Sequence, residues 1–151
     1  QTCALPILEA NRQRQVTFAL ERIIDANIVL AGLANSMRDT LPTPGYAHAI
    51  HNRLTGLPEL HHWLHGEKVG YSLLVQSFME QGNGGPDPAL VALLRRFDAP
   101  LKLPTLAGDR AAALHRLAAE VRFPAASAAR LPFEVSPAAL EQALIATDHF
   151  S

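Results

Sequence analysis

A chain of 151 residues, 48% hydrophobic and 18% charged, has enough apolar material for one globular domain with its own core. Its formal charge of −1 gives no electrostatic pull toward nucleic acid or an anionic membrane surface. No run approaches the roughly 20 unbroken apolar residues of a membrane span, and the most apolar stretch, Ile23 to Leu33, is interrupted by Asp25 and Asn27.

The opening Gln1-Thr2-Cys3-Ala4-Leu5-Pro6-Ile7 lacks the basic and apolar regions of a signal peptide. It matches the translation of a common sequencing-adapter oligonucleotide, so residues 1–7 are expected to be an artefact and the domain to run from 8 to 151. Cys3 is the only cysteine. No disulfide framework or thiolate metal cluster is possible, and a reducing, cytoplasmic setting is the expectation.

From Thr17 to Asp39, Leu20, Ile23, Ile24, Ile28 and Leu33 mostly recur at three- and four-residue steps, predicting a helix with Thr17 as N-cap. It should end before Pro42, where Pro42-Thr43-Pro44-Gly45 reads as a tight connector. Tyr46 to Leu57 predicts a short helix carrying His48 and His51. Pro58 suits the first turn of another helical piece ending near His65-Gly66. From Glu67 to about Gln81, Val69, Leu73, Leu74 and Phe78 form an apolar stripe. Gly82-Asn83-Gly84-Gly85-Pro86 breaks it, and Asp87-Pro88 opens a helix running to about Phe97. Asp109 caps a further helix through Leu114, Leu117 and Val121. Ser136-Pro137 opens the last, with Leu140, Leu144 and Ile145 on its inner face. No stretch alternates like a strand. The prediction is an all-α domain of roughly seven helices.

Five of the seven histidines, His48, His51, His61, His62 and His65, fall within eighteen residues. His48 and His51 are three apart, so both rings can sit on one side of a helix. A short connection folds the other three back toward them. Imidazole is the commonest metal ligand, and two helices meeting at an angle can bring two rings to one ion. Histidines also sit on surfaces for no chemical reason, and this spacing is none of the tight zinc motifs. The cluster alone leaves both readings open.

The run His48-Ala49-Ile50-His51-Asn52-Arg53-Leu54-Thr55, followed by His65-Gly66-Glu67-Lys68-Val69, resembles the glycerol dehydrogenase and hydroxycarboxylate dehydrogenase branch of the iron-containing alcohol dehydrogenase superfamily. That branch reads H-A-x-H-N-G-L-T and then, after a short variable stretch, H-G-E-K-V. Ala19 to Asn27, Leu73 to Gln76 and the Ser136-Pro137 helix also fit. The resemblance implies the helical, bundle-like C-terminal domain of a two-domain, dehydroquinate synthase-like enzyme whose N-terminal dinucleotide-binding domain lies outside this chain. It implies a divalent metal, zinc ahead of iron, with His48 and His65 as ligands and an aspartate from elsewhere as the third. His51 would be a catalytic neighbour facing substrate. NAD(P) would be bound mainly by the missing domain, the substrate would be an alcohol, a glycerol-like polyol or a 2-hydroxy acid, and the full-length protein would be a homo-oligomer.

The sequence departs from the branch pattern at Arg53, where a glycine is expected, and at Pro42-Thr43-Pro44-Gly45, where small residues are expected. An arginine near a metal would repel the cation or bind a carboxylate substrate. Glu67 has two readings, orienting an imidazole or favouring the first turn of a helix. Trp63, Phe78 and Phe97 read as core, and Arg95-Arg96 as a solvated helix end. The fragment alone is expected to be inactive. The alternative is a non-catalytic all-α binding or scaffolding domain that keeps the fold, with a stand-alone metal-binding module as a weaker third.

Overall fold

The computed structural model describes residues 4–36, 45–82 and 85–150. Among these there are eight α-helices, one short 3-10 turn and no strand, so the chain is all-α. Gln1 to Cys3, the helix end expected by Asp39, the connector residues Pro42 to Pro44, and Asn83-Gly84 lie outside the described residues. The helix over 4–13 does not bear on the origin expected for residues 1–7. The stretch expected to form one domain, 8–151, divides into two compact units at residues 43 and 44.

The first unit holds α1 (Ala4–Gln13) and α2 (Phe18–Ser36), which pack on one another. Thr17 caps α2 as expected, its hydroxyl oxygen accepting from the Leu20 N–H at 3.3 Å. Ala10 is buried, but Ile24, Ile28 and Leu33 of the expected inner face are exposed, as are Val29 and Leu30. One ten-residue helix cannot cover a nineteen-residue partner that is apolar on more than one side.

The second unit is built from α3 (Tyr46–Thr55), α4 (His65–Gln81), α5 (Pro88–Arg96), α6 (Arg110–Glu120), α7 (Ala125–Ala128) and α8 (Pro137–His149). Helix α4 is the centre, packing against α3, α5 and α8, while α6 packs on α8 and α3. Tyr46, Ile50 and Leu54 form one buried line on α3 at four-residue spacing. They join Leu60, Trp63, Tyr71, Val75, Leu114, Leu117, Leu140 and Leu144 in the main core. Tyr46 meets Phe123 edge-on at 5.1 Å, and Trp63 meets Tyr71 at 5.9 Å. A smaller core of Leu74, Val91 and Leu94 joins α4 to α5. The approach there depends on Gly70, since a Cβ at that position would lie 2.9 Å from Leu94 Cδ2.

The expected caps are present. Asp87, Asp109 and Ser136 accept from the backbone N–H groups of Ala89, Ala112 and Ala139 at 2.8, 2.8 and 3.1 Å. Other expectations need correction. The helical piece at Pro58 is a single 3-10 turn, Pro58–Leu60, and α4 begins at His65 rather than Glu67. Leu73 lies one residue off the buried line of Tyr71, Leu74 and Val75 and is exposed. Phe97 is also exposed, because it follows the last residue of α5 and leaves the helix face that points inward. Trp63 is buried and Phe78 partly so, as expected.

Arg110 ties three segments together. It donates to the Pro104 and Leu103 carbonyls at 2.6 and 3.2 Å and from Nε to Asp148 Oδ2 at 3.1 Å, with a second contact to Asp148 Oδ1. That hydrogen bonding holds the Asp148 carboxyl below the usual aspartate range, while burial pulls modestly the other way. A depressed folded pKa means stability that is present above the ordinary aspartate value and lost as pH falls through the folded one. Asp148→Asn should therefore lower stability by about 1.5–3 kcal/mol at neutral pH and flatten its acid dependence below about pH 4, as read by urea denaturation at stepped pH. Ile50→Ala should cost about 2–5 kcal/mol in the same assay, because it removes a fully buried side chain beneath the histidines.

Candidate functional site

Helix α3 places His48 and His51 on its turns, and α4 begins with His65. The fold brings these three rings together. His51 sits between the others, its ring centroid 6.2 Å from that of His48 and 4.5 Å from that of His65. His51 is next to the buried line of α3 and is itself buried, whereas His48 and His65 are exposed. His61 and His62 are exposed on the turn after the 3-10 segment, and no ring contact joins them to the other three among the described residues.

The three rings are not equivalent in their partners. His51 Nδ1 lies 3.2 Å from Asn52 Oδ1, and Nε2 lies 3.4 Å from the Thr55 hydroxyl, which also donates to the His51 carbonyl at 3.0 Å. His48 and His65 have no hydrogen-bond partner among the described residues, so their ring nitrogens are available. Burial pulls the His51 pKa below its ordinary value, and the neighbouring His65, His48 and Lys68 push the same way, against the Asn52 hydrogen bond. Lys68, one turn after His65, is 7% exposed. Sequence reasoning passed over Lys68, Asn52 and Thr55, although the three-residue spacing from His65 to Lys68 places both on one side of a helix.

The ring arrangement bears on whether a metal fits. The spacings of 6.2 and 4.5 Å are both measured to His51, the ring that lies next to each of the two expected ligands. The donor chemistry suits a borderline cation, and two of the three rings have free nitrogens. Among the described residues, no three His, Cys, Asp or Glu side chains converge on an ion position. The described residues thus supply imidazole nitrogens of suitable chemistry at His48 and His65 but no complete ligand set.

Arg53 does not join this cluster. Two residues beyond His51 is about 200° around a helix, and its Nε instead donates to Glu120 Oε2 at 2.6 Å. It borders a separate groove of about 330 Å³, also lined by Leu57, Glu59, Arg116 and Glu120. The expected role beside a metal or substrate is thus corrected, since helix geometry turns Arg53 away and an acidic partner occupies it. Glu67 is engaged too. Its Oε2 accepts from the Leu64 N–H at 2.6 Å, so it closes the first turn of α4, and no contact joins it to an imidazole.

Comparison with known proteins defines the class. An uncharacterized oxidoreductase of Synechocystis sp. is 36% identical over 133 residues, 83% of this chain and 34% of the relative. Hydroxycarboxylate dehydrogenase A of Escherichia coli is 32% identical over 148 residues, 95% of this chain and 40% of the relative. The glycerol dehydrogenase of Pseudomonas putida is 37% identical over 91 residues, 60% of this chain and 24% of the relative. The chain therefore spans well under half the length of these curated relatives. No family model matches. Similarity to relatives named as dehydrogenases and oxidoreductases puts the chain among the alcohol oxidoreductases. Over the segment it spans, it belongs to the glycerol dehydrogenase and hydroxycarboxylate dehydrogenase branch.

Because burial disfavours its charged form, His51 should titrate below about 6.5 when the ring proton shifts are followed by NMR against pH. Its lowered folded pKa also means that stability is fully present above that ordinary value and falls as His51 is forced to protonate.

Proposed function

We propose that this chain is the metal-binding helical part of a metal-dependent, NAD(P)-linked dehydrogenase acting on a small alcohol, a glycerol-like polyol or a 2-hydroxy acid. One observation carries the reading: α3 and α4 gather His48, His51 and His65, and leave the nitrogens of His48 and His65 without partners. The similarity to a hydroxycarboxylate dehydrogenase and a glycerol dehydrogenase supports the reaction class.

In this reading His48 and His65 are two ligands of a divalent cation, zinc ahead of iron, and a carboxylate from outside this chain is the third. Such an ion would supply Lewis-acid polarisation of the alcohol oxygen, lowering its pKa so that hydride can leave the carbinol carbon. His51 has a different part. Next to both rings and held by Asn52 and Thr55, it would orient the imidazoles on either side of it, with substrate close to its face. The nicotinamide cofactor would be bound by a domain outside this segment, with the protein supplying orientation and electrostatics. No helix among the described residues is long and apolar enough to cross a membrane. The full-length enzyme would act in the cytoplasm as a homo-oligomer.

Calorimetric zinc titration of the 151-residue chain checks the assignment. Binding should disappear in His48→Ala and in His65→Ala, and weaken roughly ten- to hundredfold in His51→Gln. The same preparation should show no turnover with NAD and glycerol. Unchanged zinc affinity in both alanine variants would assign the ion to other residues and overturn the reading.

A further inference from the structure

The groove bordered by Arg53 carries charges of both signs that the dehydrogenase reading does not use. It has a volume of about 330 Å³ and an apolar lining that includes Leu57, Leu106 and Leu117. It runs along α6, because its two acids are tied to opposite ends of that helix. Glu59 accepts from the Ala107 N–H at 3.0 Å just before α6, and Glu120, the last residue of α6, is held by Arg53. Arg116 lines the groove between these ends.

Only two of the four charged side chains neutralise each other. Arg53 pairs with Glu120 and is seated close over Gly56, where an added Cβ would come 3.1 Å from Arg53 Nη1. Arg116 precedes Glu120 by four residues, a spacing at which helices pair opposite charges. Yet among the described residues the Arg116 guanidinium has no partner, because Arg53 has taken that acid. Glu59 is bonded to backbone N–H groups, its own and that of Ala107, which hold its carboxyl below the ordinary glutamate range, with a smaller pull from His61. A carboxylate has acceptor sites beyond these two. One open cation and one acid outside any ion pair therefore line the same apolar groove.

We infer that this groove binds a small zwitterion with an apolar body, its carboxylate received by Arg116 and its ammonium by Glu59. The guanidinium fork matches a carboxylate in two parallel hydrogen bonds. A lone anion would meet the charge of Glu59 and a lone cation that of Arg116, so a ligand carrying both charges is favoured over either. Small-molecule sites are likewise mostly apolar with a few placed polar groups. The branch motif has glycine at position 53, so the pairing that leaves Arg116 open departs from the branch pattern. The inference requires neither the metal nor the dehydrogenase reading.

The test titrates ε-aminocaproate, caproate and hexylamine separately into the 151-residue chain. The methyl resonances of Leu57, Leu106 and Leu117 are followed by NMR. The zwitterion should shift them saturably and leave the His51 and His65 rings unmoved, while caproate and hexylamine bind at least tenfold more weakly. Arg116→Met should reduce zwitterion affinity to that of hexylamine, with hexylamine itself changed by less than about threefold. Glu59→Gln keeps an oxygen for the Ala107 N–H and should reduce zwitterion affinity to that of caproate. Arg53→Gly should weaken binding several-fold by freeing Glu120 to close on Arg116, and adding Glu120→Gln should restore it. Arg116→Met should melt within about 2 °C of the unsubstituted chain, since it breaks no contact of the fold. The inference is overturned by any one of three results: no saturable shift of the leucine methyls, caproate binding as tightly as the zwitterion, or unchanged zwitterion affinity in Arg116→Met.

Discussion

The buried contact between α3 and α4 is the constraint on which the rest depends. Tyr46, Ile50 and Leu54 place one line of α3 against Tyr71 and Val75 of α4. The Gln76 side chain accepts from the Ala47 N–H at 2.8 Å and ties the start of α3 to the middle of α4. This bond satisfies one of the donors that every helix leaves open in its first turn. Turning α3 by a single residue would rotate it about 100° and carry the histidines away from one another. The imidazole cluster is therefore a by-product of apolar packing. Once Ile50 is fixed in the core, His51 must lie at its rim, and His48 must lie one turn back toward solvent.

The first turn of α4 completes the arrangement. Leu64 is extended, its N–H is satisfied by Glu67, and the helix then starts on the residue that carries the third ring. A glutamate at this place favours the positive end of the helix and contributes a few tenths to about 1 kcal/mol. Its larger effect is on register, because a start two residues later would leave His65 in an unstructured turn. Arg110 acts similarly at the far end of the unit, tying the segment before α6 to α8 through Asp148.

Much of the fold was legible because its signals are local. Asp87, Asp109, Ser136 and Thr17 are caps whose side-chain chemistry needs only the next few residues, and the prolines that follow Asp87 and Ser136 mark the first turn. The step from His48 to His51 was legible for the same reason, whereas His65 was separated from His61 and His62 only by the resemblance of its His65-Gly66-Glu67-Lys68-Val69 motif. What failed depends on partners distant in sequence. Arg53 was read by its nearness to His51, but its position is decided by Glu120, sixty-seven residues on. Leu73 and Phe97 have the apolar character of core residues but lie off the faces their helices bury. Lys68 was passed over because lysine ordinarily signals a solvated surface, and only packing reveals that its apolar stem is covered.

The exposure of His48 and His65 has a kinetic consequence. Rings that point into water are swept by it, and an ion resting on two such rings meets solvent and competing chelators on its remaining faces. Its residence time would then be set by how quickly water can replace one imidazole, rather than by the depth of a cage. If a cation binds there, such a face would not trap it so much as offer it a landing place, and whatever covers that face would control the ion's lifetime. Retention and reactivity would thus be governed by the same closure: the surface that seals out water around a reacting alcohol would also be the one that keeps the metal from leaving.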